Sequence, residues 1–379
     1  MKRCPLAILT GAAMALPAFS ATQPTETSLA LKASAYDEGD ISSNSFVAGS
    51  EERYDIDVYQ FQLIKPVGTD WSVGVEASRE IMSGASPWGT ITGADGKPTL
   101  IMSGATIDDA RTEVSVTGSR YYQDASFSIG ITRSEEDDYE SNAITVSTEK
   151  DFIGGMGTLA LGISYASDDI EPTDAAAFGR VTREKKNSGS ISAAWTQILN
   201  AKSLVQTGLS LTKHRGFLSD PYKLRDVRPD DRFEKAISVR YRRYVDRFGA
   251  ALHVDYRYYR DDFDIRSHTL DLKWYQRVTD SFKLIPSIRY YSQQEASFYQ
   301  VADDFSLPVS VAQSSDYRLS SFGAYSFGIK GVYSQNNWQV DLSLQRYISD
   351  GDYGFDDPDQ EHPALLDFNL MTLGFGYRF

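Results

Sequence analysis

Arg240 and Arg242, Asp255 and Arg257, and Asp271 and Lys273 stand in pairs two residues apart; Glu76 and Glu80, Arg111 and Glu113, and Lys283 and Arg289 keep the same even spacing. Even spacing puts side chains on one face of an extended strand, so these residues form ladders of charge, not a constellation around one reacting atom. A wet surface with basic residues on one arc and carboxylates on another sets up a field that orders water and selects small polar or charged solutes. The same charges can instead pair across neighbouring strands and hold the shape of a sheet. Bond-making chemistry has no visible carrier: there is no Gly-x-Ser-x-Gly elbow, no His-Glu-x-x-His and no phosphate-binding Gly-rich loop. Phe152–Gly157 is Gly-rich but reads as a tight turn. The four histidines, His214, His253, His268 and His362, form no ligand pair. The acidic run Glu135–Glu140 could hold a hard cation such as calcium, although a solvated external loop is the commoner identity of such a run. No enzyme activity, cofactor or metal is expected.

The elements that position these ladders are strands. Segments of about ten residues with period-two polarity run the length of the chain: Thr27–Tyr36, Tyr54–Ile64, Trp71–Ile81, Arg111–Tyr121, Ala125–Arg133, Asn142–Lys150, Thr158–Tyr165 and Ser188–Leu199 in the first half. Leu204–Thr212, Glu234–Tyr244, Phe248–Tyr258, Thr269–Gln276, Phe282–Tyr291, Phe322–Tyr333, Trp338–Tyr347 and Leu370–Phe379 complete the set. The connections alternate between tight turns (Pro66–Thr69, Leu199–Lys202, Val245–Arg247, Val278–Asp280, Ser334–Asn336) and long polar stretches. The long ones are Met82–Asp108, Ser167–Lys185, Arg215–Asp231, Gln293–Ser315 and Ser349–Pro363.

About sixteen alternating strands with short turns at one end and long loops at the other predict an all-β fold, a transmembrane antiparallel up-and-down barrel of the outer membrane. Sixteen strands enclose a lumen too wide for side chains to fill, so the apolar faces are expected to meet lipid. Lumen positions from Ser126 to Thr212 are then mostly small, while Arg240, Arg242, Arg257, Lys273, Lys283 and Arg289 crowd the arc that follows. Met82–Asp108, with Trp88, Leu100, Ile101 and Met102, is the candidate for a constriction, or else stays outside.

The N-terminus opens with Lys2 and Arg3, an apolar run from Leu6 to Leu16, and small residues around Ala18 and Ser20. That is the pattern of a cleaved secretory signal over 1–20, followed by a single barrel domain over 21–379. Cys4 is the only cysteine, so disulfides and thiolate metal sites are not expected to stabilise the exported domain. A formal charge of −14 argues against nucleic acid as a partner.

Several spaced stretches resemble the outer-membrane proteins of domain-of-unknown-function family 3570. They are Ser83–Pro87 (SGASP), Asp138–Ser141 (DYES), Phe217–Lys223 (FLSDPYK) with Arg228–Arg232 (RPDDR), Tyr256–Thr269, Pro286–Tyr299 and Ser315–Ser320 (SDYRLS). The resemblance implies an outer-membrane barrel and assigns no activity. Nearly all these stretches fall at the external end of a strand pair. Asp220, Tyr222, Lys223, Arg228, Arg232, Asp261, Asp262, Arg289 and Tyr299 are therefore expected to form a polar rim of Arg–carboxylate pairs and tyrosines at one mouth, or simply to brace loops. The closing strand, with Phe375, Tyr377 and Phe379, resembles the signal by which barrels are handed to their assembly machinery, and should pair with Thr27–Tyr36 to remove the sheet's free edges. The expected partners are thus outer-membrane lipid, the barrel assembly machinery, and a solute or periplasmic partner. A channel or transport component is the first functional expectation; a structural sheath in a periplasm-to-surface assembly is the second.

Overall fold

The computed structural model describes residues 22–104, 107–356 and 358–379. The expected signal peptide, with Cys4, lies outside the described residues. The first eight barrel strands are β1 Ser28–Glu38, β2 Asp55–Val67, β3 Trp71–Gly84, β4 Ile107–Tyr121, β5 Ala125–Glu135, β6 Tyr139–Phe152, β7 Gly157–Ile170 and β8 Glu184–Asn200. The remainder are β9 Ser203–Gly216, β10 Asp231–Val245, β11 Ala250–Asp261, β12 Arg266–Arg277, β13 Phe282–Gln293, β14 Phe322–Gln335, β15 Trp338–Asp350 and β16 Phe368–Arg378. Each pairs with its sequence neighbour, and β1 pairs with β16, closing a sixteen-stranded barrel. The seam sets Leu29 opposite Tyr377, Leu31 opposite Phe375 and Ala33 opposite Leu373. No sheet edge is left unpaired in the barrel, which is what a spanning sheet requires. Among the described residues no helix is long and apolar enough to cross a membrane.

Curvature tells inside from outside. Side chains splay apart on a convex face and converge on a concave one. Ile131, Ile163, Ile191, Leu342 and Leu373 are exposed, while Ser126, Ala194, Gln206 and Asp341 on the alternate positions are buried. The apolar set therefore faces outward and the polar set lines the lumen. At the turn end the outward face carries paired rings, Phe152 with Trp195, Phe248 with Trp274 and Tyr333 with Trp338, the aromatic girdle of a membrane interface. An outward Arg near the middle of a strand should cost about 2–4 kcal/mol, and an inward one about 1 kcal/mol or less. Ile191→Arg is therefore expected to lower the urea midpoint of the barrel in lipid vesicles, and Ser192→Arg to leave it nearly unchanged.

Strands run longer at the loop end than polarity alone suggests: β4 begins at Ile107 rather than Arg111, and β7 ends at Ile170 rather than Tyr165. Above the apolar band both faces meet water, so alternation disappears although the ladder continues; Asp168 still stands opposite Lys186 and Asp169 opposite Lys185. The loops beyond are themselves folded. Residues 46–48, 87–92 and 98–102 form a three-stranded sheet, and 226–227 pairs with 313–314. Ile41, Ala85, Leu100, Met102 and Ala364 make one apolar core among them; Phe263, Ile265, Ala296, Phe298, Tyr299 and Leu319 contribute to another.

Candidate functional site

The lumen wall from β10 to β13 carries the basic ladder. In register across it stand Arg240, Asp255, Asp271 and Arg289. Arg242 is bonded bidentately to Asp255, Lys273 lies 3.4 Å from Asp271, and Arg240 donates to Gln206 Oε1 at 3.2 Å. Arg257 lies 5.0 Å from the centre of the Tyr259 ring. Arg257, Lys283 and Arg289 are exposed to the lumen. On the facing wall Glu76 accepts from Gln62 at 2.7 Å. Arg111 there sits among Glu113 at 2.6 Å, Glu80 at 3.7 Å and Glu136 at 3.7 Å. The charges thus divide: Arg111, Arg242 and Lys273 are paired, and the three exposed cations face open lumen. Between the two walls the inward positions Ser128, Gly130, Gly162, Ser192, Gly208 and Ser210 leave space.

Over one end of this lumen the loops are bonded to one another. Leu224 N–H, in the 217–230 loop, donates to Trp88 O, in the 85–106 loop, at 2.8 Å. Six barrel strands separate those loops one way round and ten the other, so this bond reaches across the mouth. Asp303 N–H, in the 294–321 loop, donates to Thr90 O at 2.7 Å, again with six strands between one way and ten the other. His362, from the 351–367 loop, joins both: its Nε2 lies 3.1 Å from Thr90 Oγ1 and donates to Ser315 O at 2.9 Å. The external mouth is bridged by a cap.

Buried charge fastens the cap. Asp316 is fully buried and receives Arg228 Nη2 at 2.8 Å and Arg318 Nε at 2.9 Å, with Lys223 Nζ at 4.0 Å. Burial alone would raise its pKa, but Arg318, Lys223 and Arg228 outweigh it and hold the carboxyl well below the usual range. Arg228 also bonds Asp226, and Arg318 reaches Asp220 at 3.2 Å. Tyr222 donates to Asp138 from across β5–β6, and Lys223 reaches Pro87 O at 3.4 Å. The residues expected at a rim therefore fall into two groups. Asp220, Tyr222, Lys223 and Arg228 join the cap. Arg232 with Asp261 at 2.6 Å and Tyr259 at 2.9 Å forms a separate cluster at the top of β10 and β11, where Asp262 accepts from Phe233 N–H at 2.8 Å. Tyr299 is buried in an apolar core, and Arg289 lies lower, in the lumen wall.

Asp316, Arg318, Asp138, Asp303 and His362 were not singled out by sequence. Asp316, Arg318 and Asp138 do lie inside the stretches SDYRLS and DYES; nothing local marks Asp303 or His362. From the Met82–Asp108 segment, the candidate for a constriction or for an outside loop, Trp88 O and Thr90 O hold the 217–230 and 294–321 loops across the mouth, and Leu100 and Met102 lie in an apolar core of the cap. The run Glu135–Glu140 is not uniformly solvated, because Tyr222 covers it and Asp138 is buried. Asp109, Glu136 and Asp138 bring carboxylate oxygens within 4.8 Å of one another, with Arg111 and the Tyr222 hydroxyl supplying the neutralising contacts.

A closed antiparallel barrel with an apolar exterior, a polar lumen and long loops at one end has the architecture of an outer-membrane β-barrel. The chain belongs to the family of proteins of unknown function DUF3570, whose family model matches residues 6–356. Among solved structures it is similar to a bacterial polysaccharide outer membrane secretin, with TM-score 0.53 and 8% identity over 94% of this chain and 100% of that one. It is also similar to CdiB from Acinetobacter baumannii, with TM-score 0.53 and 6% identity over 94% of this chain and 61% of CdiB. The siderophore receptor PirA from Pseudomonas aeruginosa gives TM-score 0.48 and 13% identity over 93% of this chain and 62% of the receptor. The chain thus spans about three fifths of the length of the last two. No curated protein matches the sequence.

Proposed function

We propose that this protein is an outer-membrane conduit for small polar or charged solutes, closed at rest on its external side by the bonded cap. The carrying observation is the pairing of two features in one axis: a lumen with exposed Arg257, Lys283 and Arg289, and loops that cross the mouth above it. A barrel needing only rigidity would gain by pairing all its inward charges; these three are left for what passes. A second reading, a sheath around a partner segment, is favoured by the small residues on β5–β9, which leave room along one wall.

Conductance in planar bilayers separates the two. The intact barrel is expected to open rarely, and a variant with 217–230 replaced by a short Gly-Ser turn to show stable, salt-dependent openings. Arg257→Ala and Arg289→Ala, made in that variant, are expected to shift the reversal potential toward cations. If the shortened variant keeps its heat-modifiable fold yet passes no current, the channel reading fails and the sheath stands.

A further inference from the structure

We propose that the outward face of β10–β12, at the loop end, binds a phosphorylated glycolipid of the outer leaflet through Lys235, Arg260 and Arg266. Lys235 stands directly opposite Arg260, and Arg260 directly opposite Arg266. All three are exposed and share the outward parity of Ile237, Tyr258 and His268, one outward position above them, with Phe233 beyond Lys235 on the same face. They form a row of three positive charges at the level where an apolar band gives way to headgroups.

Like charges directly opposite one another destabilise a sheet. Neighbouring cations at this end have internal partners: Lys185 reaches Asp169 at 3.2 Å, Lys213 reaches Asp231 at 3.0 Å, and Arg215 reaches Asp231 at 3.4 Å. Among the described residues no carboxylate lies within ion-pair distance of Lys235, Arg260 or Arg266, and Lys235 Nζ rests 5.1 Å from the centre of the Phe233 ring. The row therefore lacks a counter-anion that the protein supplies elsewhere on the same rim. Phosphate oxygens accept two or more such donors at once, and basic surfaces at a membrane face bind anionic headgroups.

A second feature adjoins the row and points to a sugar. Tyr258 lies 5.1 Å from His268, His268 lies 5.3 Å from Phe355, and Phe355 lies 5.5 Å from Tyr290. The 351–367 loop reaches this outer face, its Tyr353 O accepting from the Tyr290 hydroxyl at 2.8 Å, and Phe355 is 65% exposed. The rings are tilted or edge-on to one another and form an amphipathic aromatic cluster for a sugar to pack against at headgroup depth. On the far arc the same outward end carries exposed Asp37, Asp55, Asp57 and Asp108, which would repel phosphate and confine the lipid to one side.

The inference rests on the membrane placement proposed above but not on conduction. Binding of diphosphoryl lipid A to the purified, heat-modifiable barrel in detergent tests it, beside the dephosphorylated lipid and inorganic phosphate. Wild type is expected to retain diphosphoryl lipid and bind the dephosphorylated form far more weakly. Lys235→Gln with Arg260→Gln and Arg266→Gln should weaken diphosphoryl binding roughly 100-fold, about fivefold per cation. Equal binding of the two lipids by wild type, or unchanged affinity in the triple variant, overturns the proposal. Displacement of the lipid by micromolar inorganic phosphate would make the row a free-anion site and also overturn it. If the triple variant does not fold, the two lipids on wild type decide. A barrel that binds this lipid but carries no current refutes the channel alone.

Discussion

Asp316→Asn is expected to release the cap while leaving the barrel closed. The carboxylate is fully buried beneath Arg228, Arg318 and Lys223. Removing its charge leaves Lys223, Arg228 and Arg318 with Asp226, 2.9 Å from Arg228, and Asp220, 3.2 Å from Arg318, as the remaining acids, so three cations face two carboxylates, and breaking a buried ion pair from one side costs about 3–5 kcal/mol. That energy falls on the loops, because none of these groups belongs to a barrel strand. Hydrogen exchange at Leu224 and Asp303, whose amides make the bonds that cross the mouth, should therefore accelerate by a factor of about 100 or more. Amides of β8 and β9 should exchange as before, and bilayer recordings should show frequent openings. Unchanged exchange at both cross-mouth amides would show that the Asp316 cluster does not fasten the cap.

The barrel is legible in the sequence because lipid outside and water inside impose period two on every strand. Ile129 and Ile131 against Ser128 and Gly130 carry that signal unaided, and so does the closing strand, which pairs with β1 as expected. The cap is not legible for the opposite reason. Its cores bring Ile41, Leu100 and Ala364 together from three loops, and such contacts leave no local period. The stretches around Tyr222 and Asp316 are conspicuous in sequence, but Tyr222 meets Asp138 from 84 residues away, a pairing that only the barrel's closure makes. His362 is the clearest case: it is buried against Thr90 and Ser315, partners that nothing near it in the chain announces.

Acid should tighten the docked cap by only about 1 kcal/mol in the native protein, and single substitutions should expose two opposed slopes. Asp303 is buried against Gly89, and burial raises its carboxyl to about 6, only partly offset by Ser315 and Lys223. Asp138 is raised to about 6, first by burial and then by Asp109, against the bond from Tyr222. A carboxyl whose docked pKa exceeds its free value binds its proton more tightly when docked. Docking therefore strengthens as pH falls through about 6, by about 2 kcal/mol for each acid between pH 7 and 4. His362 works the other way. Its Nε2 donates to Ser315 O and its Nδ1 accepts from Ala364 N–H at 3.0 Å, an arrangement only neutral imidazole can make. Burial first, then the nearby Lys223, lowers it to about 3, so docking weakens as pH falls below 6.5, by about 3 kcal/mol at pH 4. The terms sum to a net tightening of about 1 kcal/mol at pH 4. In Asp303→Asn the balance should tip, the cap loosening on acidification by about 1 kcal/mol; in His362→Gln it should tighten by about 4 kcal/mol over the same range. Exchange at the Leu224 and Asp303 backbone amides (in Asp303→Asn, at residue 303), corrected for intrinsic rates from pH 4 to 7, reads both slopes. A His362→Gln slope equal to that of the native protein would mean that this imidazole titrates as freely in the cap as in water.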